Sequence, residues 1–362
     1  MTRRHARIAS VLILAGAAAP LPAQTPAELE SRIEAIVAAA PGEVGVALID
    51  LETGLRIGIR DDVSMHAAST MKVPVLIELF RQAAEGRWAL TDSIVVRNEF
   101  ISIADGSRYS LTAEDDSESA LYRIVGRELS RLELARRMIV QSSNLATNIL
   151  IEEIGAENVR VMMGGLGAAD MVVLRGVEDI PAYERGMNNT TTAAAFARVL
   201  EALARCEQGD VADALRPLTP PDCREITQVL AQQRFDEKIP AGVPAGVRVA
   251  NKTGWITEID HDGAIVYPPG RAPYVLVVLT RGIADRTAST AVARDISRAA
   301  WDALVRPTTV STLPTPALVA LHERHRIEAI RERDFTHAEL WDAIAPLIDA
   351  SSALTREQVG TS

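Results

Sequence analysis

Three short stretches carry the residue types that acyl transfer through a serine requires. The first is Ser69-Thr70-Met71-Lys72, which runs into the apolar Val73-Pro74-Val75-Leu76-Ile77. The second is Ser142-Ser143-Asn144, and the third is Lys252-Thr253-Gly254. A serine hydroxyl is a poor nucleophile until a base takes its proton. Lys72 lies one helical turn beyond Ser69 on the same face, so the spacing predicts a hydrogen bond between the two side chains. If Ser69 opens a helix, the free N–H groups and dipole there favour negative charge. Lys72 can act as a base only with a lowered pKa, and a second cation, Lys252, is the expected cause. Each motif alone is weak: a serine is often a helix cap, and an isolated lysine can lie along the surface with its head in water. In this order they reinforce one another, and no Gly-x-Ser-x-Gly elbow competes for the nucleophile.

Composition supports attention to these lysines. Of the 38 Lys and Arg residues only three are lysine (Lys72, Lys238 and Lys252), which leaves 38 − 3 = 35 arginines. Arginine stays protonated, whereas lysine can lose its proton when buried, so two of three lysines falling inside the motifs is informative. The net charge of −10 argues against nucleic acid or an anionic membrane surface as partner. The two cysteines, Cys206 and Cys223, are expected to be a structural disulfide or two buried thiols. His66 and His261 flank the first and third motifs but lack a paired acid at a telling spacing, and both are read as structural. No metal or cofactor is expected; His322-Glu323-Arg324-His325 lacks the spacing that puts two ligands on one helix face.

The elements that must position these residues follow from patterning. Pro26 to Ala40 has helical spacing, ended by Pro41-Gly42. Val44 to Leu51 and Leu55 to Ile59 read as a hairpin. Residues Ser69 to Ala231 read as mostly helical, with the second motif inside a helical run. Two segments interrupt them: a polar loop from Asp105 to Ser119 and an irregular stretch from Arg175 to Asn189. Strands are expected at Val247 to Ile256, Gly263 to Tyr267 and Tyr274 to Thr280, then a helix from Thr287 to Val305. Strands at both ends with helices between imply an α/β (α+β) fold: one antiparallel sheet assembled from N- and C-terminal strands, flanked by helices, beside a mainly helical region.

At the N-terminus Arg3, Arg4 and Arg7 precede a short apolar run, Ile8 to Ala19, and Leu21-Pro22-Ala23. This pattern predicts a signal peptide over 1–23 with cleavage after Ala23, and a periplasmic or secreted protein without a stable membrane anchor; a monomer is the expected state. The paired arginines hint at a twin-arginine route. The hydrolase domain is expected over 24–305, a Pro/Thr/Ser linker over 306–316 and a helical tail over 317–362.

The three motifs, in this order, resemble those of the class A serine β-lactamases and the penicillin-binding DD-peptidases related to them. The resemblance runs from about Val44 to Val305. It implies that Ser69 attacks the lactam carbonyl, that the N–H groups of Ser69 and Trp255 form the oxyanion hole, and that Lys72 relays the proton. It implies that Ser142 passes a proton to the leaving nitrogen and that Asn144 holds the substrate amide and Lys72. Lys252 and Thr253 would bind the substrate carboxylate, and Gly254 would let the substrate lie close to the strand. The implied partner is a small-molecule β-lactam or cell-wall peptide.

Two departures bear on the outcome. Ser143 stands where the family has an acid that mostly supports local structure. In the loop Leu174-Arg175-Gly176-Val177-Glu178-Asp179-Ile180-Pro181, Val177 occupies the position of the family's deacylating glutamate. Glu178, one residue late, is the first candidate for that task and Asp179 the second; both as solvated loop acids is the bland alternative. With a working base the chain would be a β-lactamase that confers resistance. Without one it would be a DD-peptidase, an esterase or a penicillin sensor. The last ~35 residues, around Arg333 to Trp341 and on to Ser362, also resemble the opening of a zinc carboxypeptidase domain without its ligands.

Overall fold

A computed structural model describes residues 25–305. The signal-peptide, linker and tail expectations, the carboxypeptidase resemblance and His322 to His325 lie outside the described residues. Helix α1 (Pro26–Ala39) opens on a capping box: the Thr25 hydroxyl accepts from the Glu28 amide, and the Glu28 carboxylate accepts from the Thr25 amide. Strands β1 (Glu43–Asp50) and β2 (Arg56–Ile59) form the expected hairpin. Near the C-terminal end come β9 (Arg248–Ile256), β10 (Ile259–Tyr267), β11 (Tyr274–Arg281) and α9 (Arg286–Leu304). The sheet order is β2-β1-β11-β10-β9, antiparallel at every step, so the two chain ends meet where β1 pairs with β11. Both strands are nearly continuous apolar runs buried along almost their whole length, as a strand covered on both faces must be. Helices α7 (Ala193–Glu207) and α9 lie on β11, and α1 packs on α9.

Strand β10 begins at Ile259 rather than at Gly263. Thr257 and Glu258 close a tight turn, with Glu258 at φ 56°. The residues that the pattern missed, Asp260, His261 and Asp262, are buried polar groups. Their types do not read as strand although their backbone pairs with β9.

The helical region centres on α2 (Lys72–Ala84), which packs against α3 (Arg131–Val140), α4 (Asn144–Ile154), α5 (Ala156–Gly165) and α8 (Pro220–Leu230). A helix packed on several sides buries most of its side chains, and Val73, Val75, Leu76, Ile77, Leu79 and Phe80 are all buried, with the buried Glu78 and Gln82 bonded to each other at 2.6 Å. The short strands β3 (Met65–His66) and β8 (Thr190–Thr191) pair, as do β4 (Ser93–Val95) with β7 (Glu128–Ser130) and β5 (Phe100–Ile101) with β6 (Arg108–Tyr109). The segment from Arg175 to Asn189 contains a five-residue helix, α6 (Ile180–Glu184). Cys206 and Cys223 form a disulfide that joins α7 to α8. Among the described residues no helix is long and apolar enough to cross a membrane.

Candidate active site

Ser69 lies in a single 3₁₀ turn, Ala68–Met71, between β3 and α2. It does not cap a helix; the positions before the turn and before α2 are Ala67 and Met71. The entry to this turn is fixed from the sheet. His261 accepts the Thr280 amide at Nδ1 (3.1 Å), so its Nε2 carries the proton and donates to the His66 carbonyl (3.0 Å). Burial holds His261 down at about 4, hence neutral. His66 Nδ1 accepts from the Ala68 amide at 3.0 Å. Both histidines therefore shape the backbone around Ser69, as their sequence context suggests.

The edge strand β9 passes directly over this turn. A Cβ built on Gly254 would lie 2.7 Å from the Ser69 amide nitrogen and 2.9 Å from that of Thr70. Only glycine permits so close an approach, and it brings the third motif against the Ser69 turn.

The second motif sits at the break between α3 and α4, not inside a helix. Ser142 has φ 59°, Ser143 caps α4 through the Ala146 amide (3.2 Å), and Asn144 opens the helix. Lys72, fully buried, reaches this break. Its ammonium donates to the Ser142 carbonyl (2.6 Å), the Ser142 hydroxyl (3.2 Å) and Asn144 Oδ1 (2.9 Å). Three acceptors use all three of its hydrogens. The expected bond from Lys72 to Ser69 is accordingly replaced by this set.

Lys252, also fully buried, donates to the Ser142 hydroxyl from the other side at 3.1 Å and to the Thr253 carbonyl at 2.8 Å. One hydroxyl thus lies between two ammonium groups. Burial brings Lys72 down to about 7, with the carboxylates of Asp116 and Glu178 opposing the shift. The expectation that Lys252 lowers Lys72 needs correcting: burial is the main cause for both lysines, and the repulsion between them adds to burial in depressing Lys252. Lys238, the third lysine, is also fully buried and pairs with Asp260 at 2.8 Å.

Asn144 connects Lys72 to the irregular loop. Its Nδ2 donates to Glu178 Oε1 at 2.8 Å. Glu178 has φ 61°, and burial raises its pKa above the usual carboxylate range. Asn148, one turn further along α4, accepts from the Val177 amide (2.7 Å) and donates to the Val177 carbonyl (3.0 Å). This clamp fixes the backbone immediately before Glu178. Ala68, Ser142 and Glu178 are all left-handed non-glycine residues, strain of the kind that clusters at functional sites.

Asp179, the second candidate, has its carboxylate engaged elsewhere. Its carboxylate accepts from the Ser102 hydroxyl (2.6 Å), the Ile103 amide (3.0 Å) and the Ala182 amide (3.2 Å), so it is a buried cap for α6. Nor is Glu178 a solvated loop acid, given its bond to Asn144.

Sequence reasoning missed three residues here: Asn148, Asp116 and Gln233. Asp116 Oδ2 accepts from the amides of Asn144 and Leu145, each at 2.9 Å. Gln233 Oε1 accepts from the Thr253 amide (2.8 Å) and hydroxyl (2.7 Å). Nothing in their local sequence marks them; each acts across a long gap in the chain. Trp255 stands at the mouth, edge-on to Phe235 at 4.7 Å between ring centres, with the Arg286 guanidinium 4.5 Å over its ring. Ser69, Asn144, Glu178 and Trp255 line one open cleft of about 440 Å³.

Two buried lysines converge on the Ser142 hydroxyl beside the Ser69 turn, an arrangement that suits serine hydrolase chemistry without a histidine base. Comparison with known proteins agrees. Residues 28–304 match the model of the β-lactamase enzyme family. A β-lactamase of Citrobacter koseri is 27% identical over 290 residues, 76% of this chain and 88% of that protein. β-Lactamase 1 of Streptomyces cacaoi is 29% identical, over 66% of this chain and 72% of that protein. Among solved structures, the β-lactamase of Sphaerobacter thermophilus superposes with a TM-score of 0.64 at 28% identity, covering 76% of this chain and 98% of that one. An ancestral class A β-lactamase gives 0.63 at 26%, covering 76% and 99%. The chain belongs to the β-lactamase enzyme family, on the class A serine side of it.

Proposed function

We propose that the protein opens β-lactam rings through an acyl-Ser69 intermediate, hydrolyses that intermediate, and so confers β-lactam resistance from the periplasm or as a secreted monomer. The observation that carries this reading is the Ser142 hydroxyl held between Lys72 and Lys252, beside a turn on which Gly254 packs. With its pKa at about 7, Lys72 exists partly as the free amine near neutral pH. It takes the Ser69 proton as Oγ attacks the lactam carbonyl carbon. The oxyanion gathers at the amides of Ser69 and Trp255; β9 is an edge strand, so part of its backbone is free to face substrate. As the C–N bond breaks, the proton on Lys72 passes through Ser142 to the ring nitrogen. Lys252 and Thr253 bind the substrate carboxylate, Asn144 the side-chain amide, and Gly254 lets the substrate lie along the strand.

Deacylation falls to Glu178. Its carboxylate takes a proton from water as that water attacks the ester carbonyl, and the proton returns to Ser69 Oγ as the ester bond breaks. A raised pKa makes it a stronger base than an ordinary carboxylate, and the bond from Asn144 orients it.

The test is nitrocefin turnover with intact-protein mass spectrometry. Wild type is expected to turn over steadily, Ser69→Ala to be inert, and Glu178→Gln to accumulate a covalent adduct at Ser69. A single stoichiometric burst from wild type would refute hydrolysis and indicate a DD-peptidase or sensor. Unchanged turnover in Glu178→Gln would remove Glu178 from the mechanism.

A further inference from the structure

The second motif has the uncharged Ser143 at the start of α4, yet a carboxylate is present at this point from elsewhere in the chain. Asp116, 8% exposed, comes from the loop before the 3₁₀ turn Ser119–Ile124. Its Oδ2 accepts from the Asn144 and Leu145 amides at 2.9 Å each, from the Tyr122 hydroxyl at 2.9 Å and from the Ser143 hydroxyl at 3.4 Å. Its Oδ1 accepts from the Glu118 amide at 3.0 Å. We infer that Asp116 is a positioning residue for the acylation chemistry: its carboxylate fixes the first turn of α4, and through it the Asn144 side chain that binds both Lys72 and Glu178.

The inference rests on the reaction proposed above, and its physical basis is direct. The first amides of a helix need acceptors, and a negative charge there is favoured by the dipole. Ser143 satisfies the Ala146 amide but brings no charge. Asp116 supplies that charge and satisfies the two amides ahead of it. The Asn144 side chain has two functions that depend on its placement, accepting from Lys72 at 2.9 Å and donating to Glu178 at 2.8 Å. A shift of the Asn144 backbone would loosen both. The charge also acts on Lys72, opposing the effect of burial. The other groups facing this cluster are Lys252 across Ser142, Glu178 across Asn144, exposed Asp115, and Glu118 with its partner Arg137 at 2.8 Å. None of these meets the α4 amides; Asp116 does.

Asp116→Asn removes the charge while keeping the shape. Two readouts follow it. One is the acylation rate with a fluorescent penicillin across pH. The other is the ¹³C titration of the lysine side chains; with only three lysines in the chain, each signal is assignable. The expected result is a fall in the Lys72 midpoint of about one unit, and a loss of about tenfold in the acylation rate on the high-pH plateau, where Lys72 is neutral in both proteins, the scale of one charge-assisted contact. Ser143→Asp combined with Asp116→Asn returns a carboxylate to the same helix start and is expected to recover both. A purely structural role would lower the melting temperature without moving the Lys72 midpoint. The inference is overturned if Asp116→Asn folds with the Lys72 midpoint and acylation rate of wild type. It is also overturned if Asp116→Asn fails to fold and the double variant fails with it. A wild type that takes up no penicillin would refute the reaction itself, and the lysine titration would still judge the hold of Asp116 on the site.

Discussion

Gly254→Ala tests the join between sheet and nucleophile most directly. The added methyl would lie 2.7 Å from the Ser69 nitrogen, 2.9 Å from the Thr70 nitrogen and 3.2 Å from Ala68 Cβ. All three are backbone atoms or a Cβ, so no flexible side chain can swing away. Ordinary contact for such pairs begins at about 3.5 Å, so β9 and the serine turn must separate by roughly 0.5–1 Å. Overpacking of this size costs about 1–3 kcal/mol. For a domain of this size that lowers the melting temperature by about 3–10 °C. The chemical cost is larger, because misplacing reacting groups by about 1 Å costs on the order of a hundredfold in rate. The measurement is the acylation rate with a reporter penicillin, paired with a thermal melt. A variant that stays folded and loses between tenfold and a hundredfold in acylation is expected. Wild-type acylation from Gly254→Ala would show that strand and turn need not touch in the reacting state, and the mechanism built on that contact would fail.

Two more expectations concern the same molecule. Lys72 must be neutral to accept the Ser69 proton and has its pKa at about 7, so acylation should fall tenfold per unit as pH drops below that value. A flat profile from about pH 5 to pH 8 would exclude Lys72 as the base. The Cys206–Cys223 bridge closes a sequence separation of 17 residues; reduction, or Cys206→Ser with Cys223→Ser, should cost about 3 kcal/mol in denaturant unfolding, and an unchanged midpoint would contradict this.

Several features were readable because they are local. The continuous apolar runs of β1 and β11, the capping box of α1 and the apolar run Val73 to Ile77 that opens α2 are written in neighbouring residues. So are the three motifs, since each is a short stretch whose residue types suffice to nominate Ser69, Lys72, Ser142, Asn144, Lys252 and Thr253. What each lysine bonds to was not readable. The α3–α4 break turns Ser142 toward Lys72 and so replaces the expected Lys72–Ser69 bond. Burial, a property of the assembled core, sets the Lys72 pKa where the sequence suggested a neighbouring cation. Glu178 and Asp179 are adjacent acids that look equivalent in the chain. One left-handed residue and the Asn148 clamp send Glu178 to Asn144, while Asp179 caps α6.

From the sequence alone came the candidate nucleophile, its candidate lysine and the class of fold, because periodicity and short motifs survive without knowledge of distant contacts. Tertiary structure alone decided that Glu178 bonds Asn144 while Asp179 caps α6, that the Asp116 carboxylate meets the first amides of α4, and that burial lowers the pKa of Lys72 and of Lys252. Those depend on groups far apart in the chain being brought within 3 Å or so of one another in a low-dielectric interior, where a single hydrogen bond or charge outweighs any local preference.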